Sequence, residues 1–254
     1  MILPRIIPCL LLKEKGLVKG TQFKRHQYIG DPINAVHIFN DKEVDELMFL
    51  DIIATKEKRI PPLDLIEVIA DQCLMPFGVG GGIRTTEEIR QILSVGAEKV
   101  CICSAAHDNP DLIREASDKF GVQSIVVSID VNKNFWGKYE VYKNCGTKST
   151  GQDPVVFAKK MAEQGAGELL INSIDRDGIM KGYDIELILS ITNAVNVPVI
   201  ALGGAGSLND IKEVIHHGKA SAAAAGSLFV YHGPRKAVLI NYPSDKEKEI
   251  IYIK

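Results

Sequence analysis

The chain has 254 residues, of which 46% are hydrophobic and 24% are charged, and its formal net charge is −2 at pH 7. This balance provides no basic surface of the kind that attracts nucleic acid or an anionic membrane. No apolar stretch approaches the roughly 18 residues that a membrane span requires, and the first residues lack a signal-peptide pattern. We therefore expect a cytoplasmic protein that acts on a diffusible small molecule.

The cysteine content argues against disulfides and metal sites. Five cysteines are an odd number and are scattered over the chain, which is typical of reduced thiols. Cys101 and Cys103 would share one face of a strand, but no His or carboxylate follows at zinc-ligand spacing. We therefore predict neither a metal nor a cofactor.

In chain order, short apolar runs typical of buried parallel strands alternate with helix starts. The runs are Ile6–Leu12, Leu47–Ile53, Phe77–Val79, Val100–Cys103, Ser124–Ile129, Glu168–Ile171, Val197–Leu202 and Ser221–Ala225. Helix starts lie at Asp31-Pro32, Thr85-Thr86, Asn109-Pro110, Asp153-Pro154, Asp184-Ile185 and Ser207-Leu208. Because the composition does not change along the chain, the alternation predicts a single α/β domain, residues 1–254.

The two halves of the chain resemble each other. Gly80-Gly81-Gly82-Ile83-Arg84 is matched by Gly203-Gly204-Ala205-Gly206-Ser207, and Asp31-Pro32 is matched by Asp153-Pro154. An open doubly wound sheet would also alternate strands and helices, but two four-strand halves close readily into a ring without exposed edges. The sequence therefore predicts a (β/α)8 TIM barrel with an internal half-barrel repeat.

Each half has a glycine-rich turn between a strand and a helix. Backbone N–H groups at such turns can bind phosphate, and barrels often place a phosphate site after strands seven and eight. The same glycines would also suit tight turns that bind nothing. Because the pattern is duplicated, we predict two phosphate sites at the C-terminal rim, and hence a ligand with a phosphate at each end.

Charged residues fall at both ends of the predicted strands. Aspartates at the carboxyl ends could act as acids or bases, although each could equally cap a helix or form a salt bridge. These are Asp51, Asp130, Asp175 and Asp177. Arg5, Glu46, Lys99 and Glu168 lie where strands begin. Spacing alone favours a salt-bridged plug that seals the bottom of the barrel.

These motifs together resemble those of the cyclase subunit family of imidazole glycerol phosphate synthase, along nearly the whole chain. The matching segments are Ile6-Ile7-Pro8-Cys9, Val18-Lys19-Gly20, Gly30-Asp31-Pro32, Asp45-Glu46-Leu47, Phe49-Leu50-Asp51-Ile52, Val79-Gly80-Gly81-Gly82-Ile83-Arg84, Ile174-Asp175-Arg176-Asp177-Gly178 and Gly203-Gly204-Ala205-Gly206. The resemblance implies a glutaminase partner at the N-terminal barrel face. It also implies that ammonia passes through the barrel to a bis-phosphorylated ribulosyl carboxamide.

The resemblance assigns roles to individual residues. Asp130 matches one of the family's two catalytic aspartates, and Lys19 lies in the mobile first loop that closes over the substrate. Arg5, Glu46, Lys99 and Glu168 match the gate of the ammonia tunnel, which replaces the plug interpretation. The two implied phosphate sites are Gly82, Cys103 and Ser104, and Gly178, Gly204, Gly226 and Ser227.

The substrate end departs from the family pattern. The family's first strand reads Cys-Leu-Asp, with that Asp as the second acid/base group, whereas this chain reads Cys9-Leu10-Leu11. Loss of an essential acid/base group lowers a rate on the order of 10² to 10⁴-fold. Cys103, Asn172 and Ile179 also differ from the family's usual residues. We therefore expect that ammonia delivery is kept while the acceptor has changed.

This combination is similar to a paralogous group that is associated with sugar amidation in lipopolysaccharide and surface glycan biosynthesis, in which a separate amidotransferase is a further candidate partner. Two alternatives remain open: a genuine cyclase of histidine biosynthesis, and a non-catalytic scaffold that activates the glutaminase. The tail, residues 236–254, is atypical: a short apolar strand-like run precedes a charged segment, which predicts a last element that is shortened or displaced, or that pairs with a neighbour.

Overall fold

A computed structural model describes residues 3–253. The predicted domain and tail also include residues 1, 2 and 254, which lie outside the described residues. The strands are β1 Arg5–Lys13, β2 Gly16–Thr21, β3 Lys24–Gly30, β4 Leu47–Asp51, β5 Phe77–Gly80, β6 Lys99–Ile102, β7 Ile125–Lys133, β8 Tyr139–Lys143, β9 Lys148–Ser149, β10 Glu168–Ser173, β11 Val199–Leu202, β12 Ala222–Ala225, β13 Tyr231–His232 and β14 Ala237–Val238.

The helices follow in the same order. They are α1 Pro32–Asp41, α2 Ala54–Glu57, α3 Leu63–Gln72, α4 Thr86–Ser94, α5 Ser104–Asp108, α6 Asp111–Phe120, α7 Pro154–Glu163, α8 Ile185–Thr192, α9 Leu208–His216, α10 Ser227–Val230 and α11 Asp245–Tyr252, with a 3-10 turn at Val122–Ser124. Among the described residues, no helix is both long and apolar enough to cross a membrane.

Eight parallel strands close into a ring in the order β1, β4, β5, β6, β7, β10, β11, β12. The ring closes because β12 pairs with β1, with Ala222 opposite Arg5. On the far side, β7 pairs with β10, with Asp130 opposite Asn172. The predicted (β/α)8 barrel is therefore confirmed.

The side chains of the barrel strands alternate between two apolar cores. A small cluster fills the barrel interior, and a larger one packs the outer strand faces against the helices. The interior cluster comprises Ile7, Cys9, Met48, Cys101, Val126, Leu170, Ile200, Leu202, Ala222 and Ala224, with Leu50 packed against it. This alternation gives the barrel a filled interior and leaves the strand ends for polar residues.

The sequence repeat reappears as matched helix starts. Asp31 caps α1 and Asp153 caps α7, and each is followed directly by a proline. In each case one carboxylate oxygen accepts the two backbone N–H groups that come after the proline. Thr85 caps α4 and Ser207 caps α9, each with a reciprocal capping box. The same local chemistry therefore starts corresponding helices in both halves.

The chain adds two hairpins that the apolar runs did not predict. β1 and β7 continue past the barrel rim, β1 into the antiparallel strands β2 and β3, and β7 into β8 and β9. These extensions lack a buried apolar face over most of their length, so hydrophobic periodicity gives little signal for them. They form the walls above the C-terminal face.

After β12 and α10, the tail forms a short hairpin and one helix, α11. β13 and β14 pair, and α11 then packs beside α9. The buried Tyr242 hydroxyl donates to the Ile6 carbonyl at 2.9 Å, and Lys248 pairs with Asp45 at 3.2 Å. The tail is thereby attached to the bottom of the barrel near the start of β1.

Candidate functional site

A cavity of about 650 Å³ opens at the carboxyl ends of the barrel strands. Side chains from β1, β4, β6, β7 and β10 form its floor, and the β2–β3 hairpin forms one wall. Among its lining residues are Cys9, Leu11, Lys19, Leu50, Asp51, Cys103, Ser104, Asp130, Asn172, Asp177 and Gly226. The C-terminal face of a barrel is where the strand-end side chains converge, and the cavity lies there.

Asp130 is the buried carboxyl group on the floor of this cavity. It follows Val126 and Ser128 on the inward face of β7 and is 7% exposed. The Cys103 thiol donates to Asp130 Oδ2 at 3.6 Å. Burial raises the pKa of Asp130 to about 7, although the hydrogen bond from Cys103 lowers it. A carboxyl group with such a pKa can take up and release a proton near neutral pH.

Leu11 lies on the inward face of β1 and lines the same cavity, with Leu50 beside it in register on β4. Its side chain is aliphatic, so it can neither donate nor accept a proton. The substitution noted in the sequence therefore lies within the cavity, as does Asn172.

Asp51 has its carboxylate oxygens occupied by the protein. Oδ1 accepts the N–H groups of Ile53 and Ala54, both at 3.0 Å, at the start of α2. Oδ2 accepts from Arg59 Nη1 at 2.6 Å. These contacts fix the chain that follows β4, and they match the capping and salt-bridging interpretation of this residue.

Asp177 and Lys19 form a buried ion pair, with Lys19 Nζ 2.7 Å from Asp177 Oδ1. The Gln22 N–H donates to the Asp177 carbonyl at 2.9 Å, and the Phe23 N–H lies 3.4 Å from Asp177 Oδ2. The loop after β10 therefore holds the β2–β3 hairpin down over the cavity. Asp175, close by, accepts from the backbone N–H of Lys133.

A recess in the second half of the barrel brings together the predicted phosphate-binding residues of that half. Gly178, Gly204, Gly226 and Ser227 line it with Lys19. Gly204 has φ +114°, and a Cβ there would lie 2.2 Å from the Gly182 carbonyl oxygen. The Ser227 hydroxyl is buried and has no hydrogen-bond partner within residues 3–253. The recess thus presents an unpaired polar group beside a lysine.

The corresponding residues of the first half are arranged differently. Cys103 and Ser104 line the main cavity, but Ser104 Oγ already accepts the Asn144 N–H at 3.0 Å. Gly82 instead packs against the backbone at Arg59, since a Cβ at position 82 would lie 1.9 Å from the Arg59 carbonyl oxygen. The described structure does not place Gly82 in the cavity lining.

Arg5, Glu46, Lys99 and Glu168 meet at the opposite end of the barrel. Arg5 donates through separate guanidinium nitrogens to Glu46 and Glu168. Lys99 Nζ lies 3.0 Å from both carboxylates. Each cation bridges both anions, so the four residues form a closed ring, which we call the charged ring.

Alternating residues on four strands connect the charged ring to the cavity. On β1, Arg5 is followed on the same face by Ile7, Cys9 and Leu11. The other columns are Glu46, Met48 and Leu50; Lys99, Cys101 and Cys103; and Glu168, Leu170 and Asn172. Because inward-facing residues repeat every second position, the two charged ends share one apolar interior.

Sequence reasoning missed the basic residues at the mouth of the cavity. Lys13, Lys24, His26 and Lys56 all line it. No motif marks them, because they come from three separate segments that only the hairpin and α2 bring together. In the described part of the chain, no cluster of three or more His, Cys, Asp or Glu side chains could hold a metal ion.

The chain is similar to known proteins over nearly its whole length. Residues 5–234 match the family described as "Histidine biosynthesis protein". A Pseudomonas aeruginosa protein with the provisional name imidazole glycerol phosphate synthase subunit hisF2 is 50% identical over 98% of this chain and 100% of its own length. A Vibrio vulnificus protein provisionally named hisF3 is 48% identical over 98% of this chain and 96% of its own length.

A relative without a numbered name gives a similar match. The imidazole glycerol phosphate synthase subunit HisF of Alkaliphilus metalliredigens is 45% identical over 91% of this chain and 92% of its own length. These matches agree with the eight-stranded barrel. The chain therefore belongs to the histidine biosynthesis protein family, as a homologue of the imidazole glycerol phosphate synthase subunit HisF.

Proposed function

We propose that this chain is the ammonia-accepting synthase subunit of a glutamine amidotransferase. A glutaminase subunit binds at the N-terminal barrel face, and a phosphorylated acceptor binds at the C-terminal face. The observation that carries the proposal is the set of inward-facing residues that joins the charged ring to the Asp130 cavity along four strands. Ammonia is small and neutral, so it can pass an apolar interior that excludes ions.

In this proposal the residues at the two ends of the barrel have different roles. Arg5, Glu46, Lys99 and Glu168 gate the entry of ammonia. Asp130 holds or transfers a proton at the acceptor, because its pKa lies near 7. The recess at Gly178, Gly204, Gly226 and Ser227 binds a phosphate, with Cys103 and Ser104 near the second one. Lys19 keeps the β2–β3 hairpin closed through Asp177.

For the acceptor, we infer an acetamido sugar that is converted to an acetamidino sugar in surface glycan biosynthesis, with a separate amidotransferase completing the reaction. The inference is supported by Leu11 and Cys103, which change the cavity while the charged ring is kept. It is also supported by similarity to relatives that carry the numbered names hisF2 and hisF3. Deleting the gene should remove the amidino sugar from the surface glycan, as measured by mass spectrometry.

The second candidate function is the cyclase reaction of histidine biosynthesis, which Asp130 and the phosphate-binding recess favour. Under this alternative, deletion should cause a growth requirement for histidine and leave the glycan unchanged. Under the amidation proposal, growth without histidine should be unaffected. The two phenotypes separate the candidates in one strain.

The cavity can be tested directly with the histidine-pathway substrate. Given ammonia and the bis-phosphorylated ribulosyl carboxamide, the purified chain should turn over on the order of 10² to 10⁴-fold more slowly than a working cyclase, because Leu11 supplies no proton. Leu11→Asp should restore part of the rate. Leu11→Asn is the matched control, since it adds a polar group of similar size that cannot donate or accept a proton as an acid or base. Full turnover by the unchanged chain would contradict the proposal.

The charged ring can be tested with Lys99→Ala in the complex with the glutaminase. Glutamine-dependent product formation should fall, while formation from added ammonia should be retained, because the cavity at the other end is unchanged. A non-catalytic scaffold predicts that product still forms from glutamine. Equal product from glutamine in the variant and the unchanged complex would therefore favour the scaffold over the conduit.

A further inference from the structure

The mouth of the cavity carries a group of basic side chains on the side of the β2–β3 hairpin and α2. Lys13 ends β1, Lys24 begins β3, His26 lies in β3 and Lys56 lies in α2, and all four line the cavity. We call them the rim cluster. Within residues 3–253, none of the four forms an ion pair or a side-chain hydrogen bond with the protein.

The carboxylates nearby do not neutralise the rim cluster. Asp51 is paired with Arg59, and Asp177 is paired with Lys19. Asp130 is buried below, with a pKa raised to about 7. Asp175 also lines the cavity, and one of its oxygens accepts the Lys133 N–H. Among the described residues, no carboxylate forms an ion pair with the three lysines, and Asp175 adds one negative charge to the same cavity.

The positive charges at the mouth also affect the pKa of His26. Its pKa is lowered by burial and by the charges of Lys19, Lys13 and Lys56, while Asp177 raises it. Lys13, Lys19, His26 and Lys56 all line one cavity, so their charges interact across its mouth. Gathering unpaired like charges is unfavourable, and an anion that binds between them relieves the repulsion. The formal net charge of the chain is −2, so the cluster does not reflect a generally basic protein.

We propose that the rim cluster binds a phosphoryl group of the substrate outside the barrel mouth, in addition to the phosphates at the glycine-rich turns. Lysine binds phosphate as a mobile point charge, which suits a group at the open edge of a cavity. The substrate class is then a small molecule that carries a phosphoryl group at its outer end, for which inorganic pyrophosphate is a simple probe. The inference rests on the proposed function for a phosphorylated substrate at this face, but binding can be measured without turnover.

The first test is calorimetric titration of the full chain with inorganic pyrophosphate. The double variant Lys24→Ala/Lys56→Ala should weaken binding about tenfold, as expected for two partly exposed ion pairs. Lys159→Ala, which removes an exposed lysine of α7 outside the cavity, is the matched control and should bind as the unchanged chain does. Equal affinity in the double variant, or an equal loss in the control, would overturn the proposal.

A second measurement assigns the site. Followed by NMR, the His26 pKa should rise when pyrophosphate binds to the unchanged chain and should rise equally in Ser227→Ala, which alters only the recess. Inorganic phosphate should produce a smaller rise at the same concentration. A His26 pKa that does not move would reject the rim site, and one that moves only when Ser227 is present would assign the anion to the recess.

These results remain separate from the proposed function. Normal pyrophosphate binding at the rim without any ammonia-dependent product would reject the amidotransferase proposal alone. Ammonia-dependent product with a rim cluster that binds no anion would reject the present inference alone.

Discussion

Asp130 is a buried carboxyl group whose pKa lies far from its ordinary value. Burial raises its pKa to about 7 from the ordinary value of 3.8. Between these values the folded chain holds a proton that the unfolded chain has released, so this group makes the folded state less stable as pH rises from about 4 to about 7. The shift corresponds to about 4 kcal/mol at most.

We therefore predict that Asp130→Asn abolishes this part of the pH dependence. Urea unfolding at intervals between pH 4 and pH 7 should show the unchanged chain losing stability relative to the variant as pH rises. Asp175→Asn is a suitable control, because it removes a partly exposed carboxylate that lines the same cavity. A constant difference between Asp130→Asn and the unchanged chain at every pH would mean that Asp130 titrates normally.

Residue roles were predictable from the sequence only where a motif carried them. Asp130 was singled out by its match to a family motif, and the glycine turns were singled out by their duplication. Lys13, Lys24, His26 and Lys56 did not, because their proximity depends on how a hairpin folds over the rim. Asp51 was ambiguous, since a strand-end aspartate looks the same whether it caps a helix or meets a ligand.

At the scale of single elements, the helix starts are the features that the sequence predicts best. Ser207 caps α9 and its hydroxyl accepts the Asp210 N–H at 3.3 Å. We predict that Ser207→Ala lowers the free energy of unfolding by about 1 kcal/mol. Thermal unfolding should show a melting temperature that falls by roughly 2–4 °C for a chain of this size. Ser207→Thr keeps the hydroxyl and should change little; an equal loss in both variants would argue against capping.

The tail is the element that the sequence described least. Its sequence predicted a strand-like run and a shortened or displaced last element, but not the pairing of β13 with β14 or the packing of α11 beside α9. The contacts that fix it are long-range: Tyr242 reaches Ile6, and Lys248 reaches Asp45. Local pattern cannot predict contacts between residues so far apart in the chain.

This long-range contact gives a second element-scale prediction. Tyr242→Phe removes the hydroxyl that donates to the Ile6 carbonyl and lies 3.4 Å from the Asp45 N–H. Because the site is buried, the free energy of unfolding should fall by about 1–2 kcal/mol in urea titrations. Tyr28→Phe alters a tyrosine that is 70% exposed and serves as the control. A Tyr242→Phe chain as stable as the control would show that packing alone holds the tail.

For the molecule as a whole, the barrel separates two polar ends with a packed apolar interior. The charged ring lies at one end and Asp130 at the other, and Ile7, Met48, Cys101 and Leu170 lie between them. The ring is partly shielded from water, with Glu46 2% and Arg5 28% exposed on their side chains. Loss of one anion leaves both cations with a single partner, which we expect to destabilise the fold by about 2 kcal/mol.

The separation of the ends predicts that their contributions to stability add. Glu46→Gln and Asp130→Asn should each shift urea unfolding, and the double variant should equal the sum of the single variants within about 0.5 kcal/mol, because the sites share no partner. Glu67→Gln, on the exposed face of α3, controls for the loss of one negative charge. A coupling well above that value would mean that the interior transmits strain from the ring to the cavity, so that the gate and the acceptor site could not be varied independently.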